Sequence, residues 1–368
     1  MPVTGCATPA GTARYRDRFR SKAAGDHFRQ QHDLFLSSIG IGTYLGNADS
    51  GTDKGYEEAV VRAVQLGANV IDTAANYRFQ RSERSVGRAL NVLEQQGFSR
   101  DEVVVCTKGG YLPFDGAPPQ NLRAYVEETF VRPGIAQFTD IVGGAHCMTA
   151  AYLRNQLEQS LRNLSLECID VYYIHNPESQ LGYISREDFD MRLRAAFAEL
   201  EGHRTEGTIG MYGVATWNGF RVSSQSREYH SLTRMVELAR EVGGESQGFG
   251  FIQLPFNLAM PEALTLRNQI LDEKQLSIVE AAAALGITVI ASASILQGRV
   301  AQQLPDSIRE PLGSLPTDVQ TALQFARSAP GVTTALIGMS NSGHVEENLQ
   351  LVAREPVSSR DFVRLFSE

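Results

Sequence analysis

Cysteine is scarce in this sequence, and long apolar runs are absent. The four cysteines, Cys6, Cys106, Cys147 and Cys168, show no CxxC or metal-finger spacing, so we expect free thiols in a reducing compartment and no bound metal. No apolar run approaches the roughly 20 residues of a membrane span. The first residues also lack the apolar core of a secretory signal. These absences predict a soluble, cytoplasmic protein without a membrane partner.

Positive charge is also in deficit. Lysine and arginine number 34 against 42 aspartate and glutamate residues, which gives a formal net charge of -8. Nonspecific binding of nucleic acid needs a positive surface, so no nucleic-acid partner is expected. An anionic cofactor is still allowed, because it needs only a local positive site. Hydrophobic residues, at 42%, are sufficient for a sizeable core.

From about residue 36 onward, short apolar segments alternate with amphipathic ones. In residues 56–66, for example, Ala59 and Ala63 share one side of a helix while Glu57 and Glu58 lie on the other. The apolar segments are short and partly β-branched, which is typical of strands buried on both faces. We predict eight strands, at residues 38–43, 68–72, 103–107, 169–174, 210–215, 249–253, 288–292 and 334–338.

Eight strands, each followed by a helix, favour an α/β fold of the (β/α)₈ or TIM-barrel type in a single domain. The alternative is an open, doubly wound sheet, which usually begins with a glycine-rich phosphate loop. Gly40 and Gly42 lie in the first predicted strand, but no GxGxxG motif follows them. The closed barrel is therefore the preferred prediction.

Three segments fall outside this alternation. Residues 1–33 are polar and rich in Arg, Gly and Ala, so we predict a flexible or surface-wrapping N-terminal extension before a barrel domain at residues 34–368. Residues 109–148 and 254–276 are long connections after the third and sixth strands. They lie on the face where such barrels build active sites, and we expect both to form walls of a substrate pocket.

Polar residues end several of the apolar strands. Asp72 ends the second strand, Lys108 the third, His175 the fourth and Gln253 the sixth. Alone, each has a structural explanation, such as a turn cap or a solvated strand end. In a parallel barrel, however, these ends gather at one mouth, where Asp72 and Lys108 on neighbouring strands can pair. The joint pattern predicts a functional site.

Longer motifs surround these polar residues. The stretch Val70-Ile-Asp-Thr-Ala-Ala-Asn-Tyr77 ends in a tyrosine, Ile169-Asp-Val-Tyr-Tyr-Ile-His-Asn-Pro177 carries the histidine, and Ile337-Gly-Met-Ser340 precedes the last helix. In this order, from about residue 39 to 351, the chain resembles the aldo-keto reductases. The resemblance implies an NAD(P)H-dependent oxidoreductase that reduces an aldehyde or ketone to an alcohol, or catalyses the reverse.

The resemblance implies four catalytic residues. Tyr77 would be the general acid that protonates the carbonyl oxygen of a small-molecule substrate. Free tyrosine has a pKa of about 10, and the ammonium of Lys108 would lower it. Asp72 would hold Lys108 charged and oriented, while His175 would form a hydrogen bond to the carbonyl oxygen.

The resemblance also implies cofactor-binding residues. Gln253 would bond the nicotinamide amide, since it offers both a donor and an acceptor. The family's Ser-Asn pair is replaced by Ala215-Thr216, which retains one hydrogen bond at Thr216, and its stacking aromatic is replaced by Ser292. Arg299 would supply positive charge. Further predicted cofactor residues are Gly338, Ser340, His344, Glu347 and Asn348. We expect NADP(H), with NAD(H) as the alternative.

Five residues near the strand ends are predicted to line the substrate pocket: Tyr44, Tyr111, His146, Trp217 and Phe256. Packing is the alternative for the aromatic residues. The dipeptide His146-Cys147 has no second His, Cys or Asp cluster with metal spacing nearby, so pocket lining is favoured over metal ligation.

Two other functions stay open at this point. One is a noncatalytic barrel that binds nucleotide and serves as a sensor or subunit, which the altered nicotinamide contacts allow. The other is a lyase or isomerase that forms a Schiff base on Lys108. Asp72 opposes this second function, because it would keep the lysine protonated.

Overall fold

The computed structural model describes residues 2–366, and its centre is a closed barrel of eight parallel strands. We number the barrel strands β1 to β8: Ile39–Gly42, Val70–Asp72, Val104–Gly109, Ile169–His175, Ile209–Ala215, Phe249–Pro255, Thr288–Ser292 and Val332–Gly338. Consecutive strands pair in parallel, and β8 closes the ring against β1. The predicted (β/α)₈ fold is confirmed.

A helix follows each barrel strand and covers the outside of the barrel. In chain order these helices are Ser50–Gln65, Arg81–Gln95, Ala150–Leu164, Arg186–Glu206, Leu232–Gly243, Ile278–Leu285, Asp318–Ser328 and Ser342–Asn348. Shorter helices lie at Pro9–Arg18, Leu122–Val126, Glu262–Thr265, Asp306–Arg309 and Ser359–Val363. No helix within residues 2–366 is long and apolar enough to cross a membrane.

The helix Asp318–Ser328 is buried along most of its length, although its sequence carries apolar residues at helical spacing. Residues 320–328 are all buried, so the helix has no exposed polar face. Its polar residues bind backbone carbonyls of the C-terminal segment: Gln320 donates to Glu347 at 2.6 Å and Gln324 donates to Glu355 at 2.9 Å. A helix covered on all sides buries its polar side chains too, and these need hydrogen-bond partners within the protein.

The N-terminal segment packs onto the barrel. The helix Pro9–Arg18 buries Tyr15 completely, and the Tyr15 hydroxyl donates to the carbonyl of Val64 at 2.5 Å. A hairpin follows, with strands Phe28–Gln31 and Leu34–Ser37. Leu34 and Leu36 join the interior cluster that contains Val70, at the start of β2, so the hairpin closes the amino-terminal end of the barrel. The described part of residues 1–33 is thus packed chain rather than flexible chain.

The prediction of four free thiols is wrong for two of them. Cys6 and Cys168 form a disulfide with a Cα–Cα distance of 5.4 Å, whereas Cys106 and Cys147 are buried and free. The bonded pair is 162 residues apart in sequence. The two residues meet because the N-terminal chain runs beside the segment that leads into β4, where the amide of Val3 donates to the carbonyl of Ser165 at 2.8 Å.

Replacing Cys6 by serine should lower the free energy of unfolding by about 3–5 kcal/mol, because the disulfide closes a long loop and restricts the unfolded chain. Thermal denaturation with and without a thiol reductant measures the effect. The reductant should lower the melting temperature of the unaltered protein and leave that of Cys6→Ser unchanged. If the unaltered protein and Cys6→Ser have equal melting temperatures without reductant, the disulfide contributes nothing to the stability of the fold.

Candidate active site

A cavity of 540 Å³ opens at the carboxyl ends of the barrel strands. Seven of the eight strands contribute a residue at or near their carboxyl end to its lining: Gly42, Asp72, His175, Ala215, Gln253, Ser292 and Gly338. The remaining strand, β3, carries the buried Lys108 next to Asp72. The barrel geometry therefore gathers residues that lie up to 296 positions apart in the sequence, from Gly42 to Gly338.

A buried ion pair lies at the centre of this cavity wall. The Lys108 Nζ is 2.6 Å from Asp72 Oδ1 and also donates to the carbonyl of Thr73 at 2.9 Å. The second carboxylate oxygen, Asp72 Oδ2, accepts a hydrogen bond from Gln253 Nε2 at 2.8 Å. Asp72 thus orients both the ammonium and the amide. The Asp72–Lys108 contact agrees with the pairing inferred from the sequence, and the Gln253 contact was not foreseen.

Tyr77 and His175 complete the cluster. The Lys108 Nζ lies 5.0 Å from the centre of the Tyr77 ring, and the Tyr77 and His175 ring centres are 5.9 Å apart. The loop that carries Tyr77 is held against β3, because the amide of Ala75 donates to the carbonyl of Lys108 at 3.2 Å. The structure therefore brings the four predicted catalytic residues together.

Burial and charge set the protonation of this cluster. Burial raises the pKa of Tyr77, and the nearby Lys108 ammonium offsets only part of that increase. Lys108 thus acts in the direction expected from the sequence, but desolvation outweighs it. Burial disfavours the Lys108 ammonium, yet the Asp72 carboxylate and the Tyr77 phenol together raise the Lys108 pKa. Burial, followed by Lys108 and His146, lowers the pKa of His175. The cluster at neutral pH is a phenol, an ammonium and a neutral imidazole.

Most of the predicted cofactor residues line the same cavity: Thr216, Gln253, Ser292, Gly338, Ser340, His344, Glu347 and Asn348. Thr216 Oγ1 and Asn348 Oδ1 are buried and have no hydrogen-bond partner within residues 2–366. A water molecule or a polar ligand in the cavity could satisfy these atoms. Arg299 lies outside the lining and is exposed, just beyond a turn in which Leu296 and Gln297 have positive φ.

Two of the predicted substrate residues lie at the cavity mouth. Tyr44 and Trp217 line the cavity with 57% and 43% of their surface exposed, respectively. The Tyr44 ring centre lies 5.0 Å from that of Tyr77. Two accessible aromatic side chains thus stand at the entrance, next to the predicted general acid.

The other three predicted pocket residues lie elsewhere. His146 is buried behind His175 and donates from Nε2 to the His175 carbonyl at 2.7 Å, and the Tyr111 ring centre is 5.0 Å from the His175 ring. These two residues support His175 rather than line the cavity. Phe256 is fully buried and stacks on Phe325 at 5.3 Å, so its assignment to the pocket is corrected to core packing.

The two long connections also differ from expectation. None of the residues that line the 540 Å³ cavity comes from 109–148 or 254–276 in the described chain. The first segment folds over its own apolar cluster, which includes Leu112, Val126 and Phe130. The second forms the hairpin Gln269–Leu271 with Lys274–Leu276, which bonds to the N-terminus of the helix Leu232–Gly243. Neither segment therefore forms part of the wall of this cavity.

Several cavity residues had not been identified from the sequence. Asn176, directly after His175, has a usable signal in its position beyond a strand end. Residues 293–298 also line the cavity, as does Tyr56 from the helix Ser50–Gln65. Tyr56 gives no signal, because an aromatic residue in an amphipathic helix is typical of the core.

Comparison with known proteins indicates the same family that the sequence motifs resemble. The model of the aldo/keto reductase family matches residues 38–237. A D-threo-aldose 1-dehydrogenase from a Pseudomonas species is 30% identical over 187 residues, which are 50% of this chain and 51% of that protein. The match therefore spans about half the length of that relative. A putative voltage-gated potassium channel subunit beta from Schizosaccharomyces pombe is 23% identical and covers 91% of this chain and 90% of that protein.

Solved structures share the fold. An aldo/keto reductase from Klebsiella pneumoniae, crystallised with NADP and acetate, superposes with a TM-score of 0.61 at 19% identity, covering 93% of this chain and 94% of that one. A glycerol dehydrogenase from Gluconobacter oxydans gives a TM-score of 0.64 at 18% identity, covering 93% and 95%. At these identities the similarity establishes the barrel architecture.

Proposed function

The chain belongs to the aldo/keto reductase family, and we propose that it is an NAD(P)-dependent oxidoreductase that interconverts a small carbonyl compound and its alcohol, with Tyr77 as the general acid. The observation that carries this proposal is the convergence of Tyr77 and His175 on the buried Lys108–Asp72 ion pair at the cavity wall. A protonated phenol beside a fixed ammonium is suited to donate a proton to an oxygen on which negative charge develops.

The proposed mechanism assigns one task to each side chain. Bound nicotinamide would supply the hydride to the carbonyl carbon or accept it in the reverse direction. The Tyr77 hydroxyl gives its proton to the carbonyl oxygen, and the Lys108 ammonium stabilises the resulting phenolate. Asp72 keeps that ammonium in place. His175, which is neutral, can donate one hydrogen bond to the carbonyl oxygen and so orient the substrate.

The cavity fits a dinucleotide. Thr216 Oγ1 and Asn348 Oδ1 are buried polar atoms that still need partners, and a nicotinamide amide and an adenine amino group could supply them. Gln253 commits its Nε2 to Asp72, which leaves its oxygen to accept from an amide. We propose NADP(H) as the cofactor, in line with the NADP complex of the Klebsiella relative. NAD(H) is the alternative, since an Escherichia coli relative, 26% identical over half of this chain, is named an NADH-specific methylglyoxal reductase.

A noncatalytic role is the second candidate, because the Schizosaccharomyces pombe relative is named as a putative channel subunit. The complete set of Tyr77, Lys108, Asp72 and His175 supports catalysis instead. A binding barrel has no need for a buried ammonium beside a phenol, and burying that charge is costly.

Calorimetric titration with NADPH and NADH, followed by an absorbance assay of nicotinamide oxidation across a panel of aldehydes and ketones, tests the proposal. Binding and turnover would support an oxidoreductase. Binding without turnover on any carbonyl or alcohol would favour the sensor or subunit, and failure of both cofactors to bind the folded protein would reject both functions.

The two reaction directions should depend on pH in opposite ways. Reduction needs the protonated phenol, and since burial raises the Tyr77 pKa, reduction should stay level through neutral pH and fall only in strongly alkaline solution. Alcohol oxidation needs the phenolate, so its rate should rise with pH over the same range. Profiles of kcat/KM in both directions measure this. A fall in reduction near neutral pH would assign the proton to a different group.

A further inference from the structure

The chain directly after Tyr77 forms an unusual turn. Arg78, Phe79 and Gln80 have φ angles of 48°, 58° and 68°, and none of them is glycine. In this left-handed region the β carbon crowds the following carbonyl oxygen, so nonglycine residues avoid it. Three such residues in succession persist only where the surrounding structure holds them. We refer to residues 78–80 as the left-handed turn.

Arg78 fastens one side of this turn. Its guanidinium is buried and makes a 3.0 Å ion pair with Asp53 in the helix Ser50–Gln65. It also donates to Ser82 Oγ at 3.0 Å and to the carbonyl of Asn47 at 3.2 Å. Ser82 in turn donates to the carbonyl of Thr43 at 2.8 Å. Arg78 therefore ties the left-handed turn to the segment that follows β1.

That segment is part of the cavity. Thr43 and Tyr44 line the cavity, as does Tyr56 from the helix Ser50–Gln65, and the Arg78 guanidinium lies 4.9 Å from the centre of the Tyr56 ring. Arg78 itself does not line the cavity. Its side chain thus contacts residues of the cavity wall without lining the cavity. Its backbone directly follows Tyr77 in the chain.

Gln80 fastens the other side of the turn. Its Nε2 donates to the carbonyl of Phe114 at 3.2 Å, and its Oε1 accepts from Asn163 Nδ2 at 3.0 Å. The amide of Gly116 donates to the carbonyl of Phe79 at 3.1 Å. The left-handed turn is therefore held between the segment after β1 and the long connection after β3. Tyr77 directly precedes this turn.

We propose that Arg78 is a positioning residue for the proton donor: its buried guanidinium keeps residues 78–80 left-handed and thereby fixes the Tyr77 phenol beside Lys108 and His175. This inference rests on the proposed function, in which Tyr77 is the general acid. Without the guanidinium, the turn relaxes toward ordinary backbone angles and displaces Tyr77. Small displacements of a reacting group are costly, since about 1 Å can lower a rate about 100-fold.

The test is a set of substitutions at Arg78. Arg78→Met should lower kcat about 100-fold while KM and the cofactor Kd change by less than about threefold, because the cavity contacts themselves remain. Arg78→Lys keeps a charge for Asp53 but loses the planar fork of donors, so its kcat should fall in between. Arg78→Gly should recover about tenfold of the loss seen in Arg78→Met, because glycine adopts positive φ at little cost.

Arg100 provides a matched control. It too is a buried arginine paired with an aspartate, Asp170 at 2.7 Å in the N-terminal part of β4, and it lies away from the cavity. Arg100→Met and Arg100→Lys should lower the melting temperature as the Arg78 variants do, yet keep kcat within about twofold. If the methionine variants fail to fold, the lysine pair carries the same comparison. Equal losses of kcat at the two arginines, or equal losses in Arg78→Met and Arg78→Gly, would overturn the proposal.

A crystal structure of Arg78→Met separates this inference from the proposed function. If the unaltered protein turns over no carbonyl or alcohol, the proposed function fails, but the position of Tyr77 can still be compared between the two proteins. A displaced Tyr77 ring with residues 78–80 out of the left-handed region supports the role of Arg78. A Tyr77 ring in its original place would reject that role, whatever the activity.

Discussion

Tyr77→Phe should lower kcat by at least about 1,000-fold while leaving the cofactor Kd nearly unchanged, because the phenol acts only when its proton moves. The phenylalanine ring keeps the packing against Tyr44, His175 and the Lys108 ammonium, which lie 5.0, 5.9 and 5.0 Å from the Tyr77 ring centre. The substitution therefore removes one hydroxyl from an otherwise intact cavity. Steady-state kinetics at saturating substrate, with calorimetry for the cofactor, measure the two effects.

Tyr44→Phe is the matched control for this experiment. Tyr44 lines the same cavity and contacts Tyr77, but 57% of its surface is exposed. The kcat of the Tyr44→Phe variant should differ from that of the unaltered protein by less than about fivefold. If Tyr77→Phe kept even a tenth of the unaltered kcat, Tyr77 would not be the proton donor.

Lys108→Met should lower kcat as much as Tyr77→Phe does, and the double variant should be little worse than either. The ammonium serves to stabilise the developing phenolate, so the two groups act as one unit and their losses do not add. Lys108→Met also leaves the buried Asp72 carboxylate with Gln253 as its remaining side-chain donor, at 2.8 Å. Removing one partner of a buried ion pair costs about 3–5 kcal/mol, so the melting temperature should fall as well.

Two companion measurements keep the kinetic and stability effects of Lys108 apart. Asp72→Asn should give a smaller loss of kcat, since Lys108 stays charged but is less well held. The double-variant cycle of Tyr77 and Lys108 reports their coupling independently of stability, provided that all proteins are folded at the assay temperature. Additive losses in that cycle would contradict the shared role. A substrate imine trapped on Lys108 by borohydride would assign the protein to Schiff-base chemistry instead.

The sequence was sufficient to predict the barrel and the proximity of Asp72, Lys108 and His175, whereas Tyr77 was added by the family resemblance. Each strand is a short apolar segment, and such a segment can be identified locally without knowledge of the rest of the chain. Once eight parallel strands close a barrel, their carboxyl ends must meet at one mouth. The positions of Asp72, Lys108 and His175 at strand ends therefore predicted their proximity, and the Lys108–Asp72 distance of 2.6 Å agrees with it.

Tertiary structure decided the features that depend on distant parts of the chain. Cys6 and Cys168 pair because the N-terminal segment is laid beside β4, which no spacing rule anticipates. Phe256 follows a strand as Trp217 does, yet Phe256 packs on Phe325 while Trp217 stays at the mouth. The direction of the Tyr77 pKa shift could be determined only from the folded structure, because burial raises this pKa while the nearby Lys108 ammonium lowers it. The local sequence pattern determines which helices and strands form and where they end. The burial of a side chain and its partners depend on residues from distant parts of the chain, which only folding brings together.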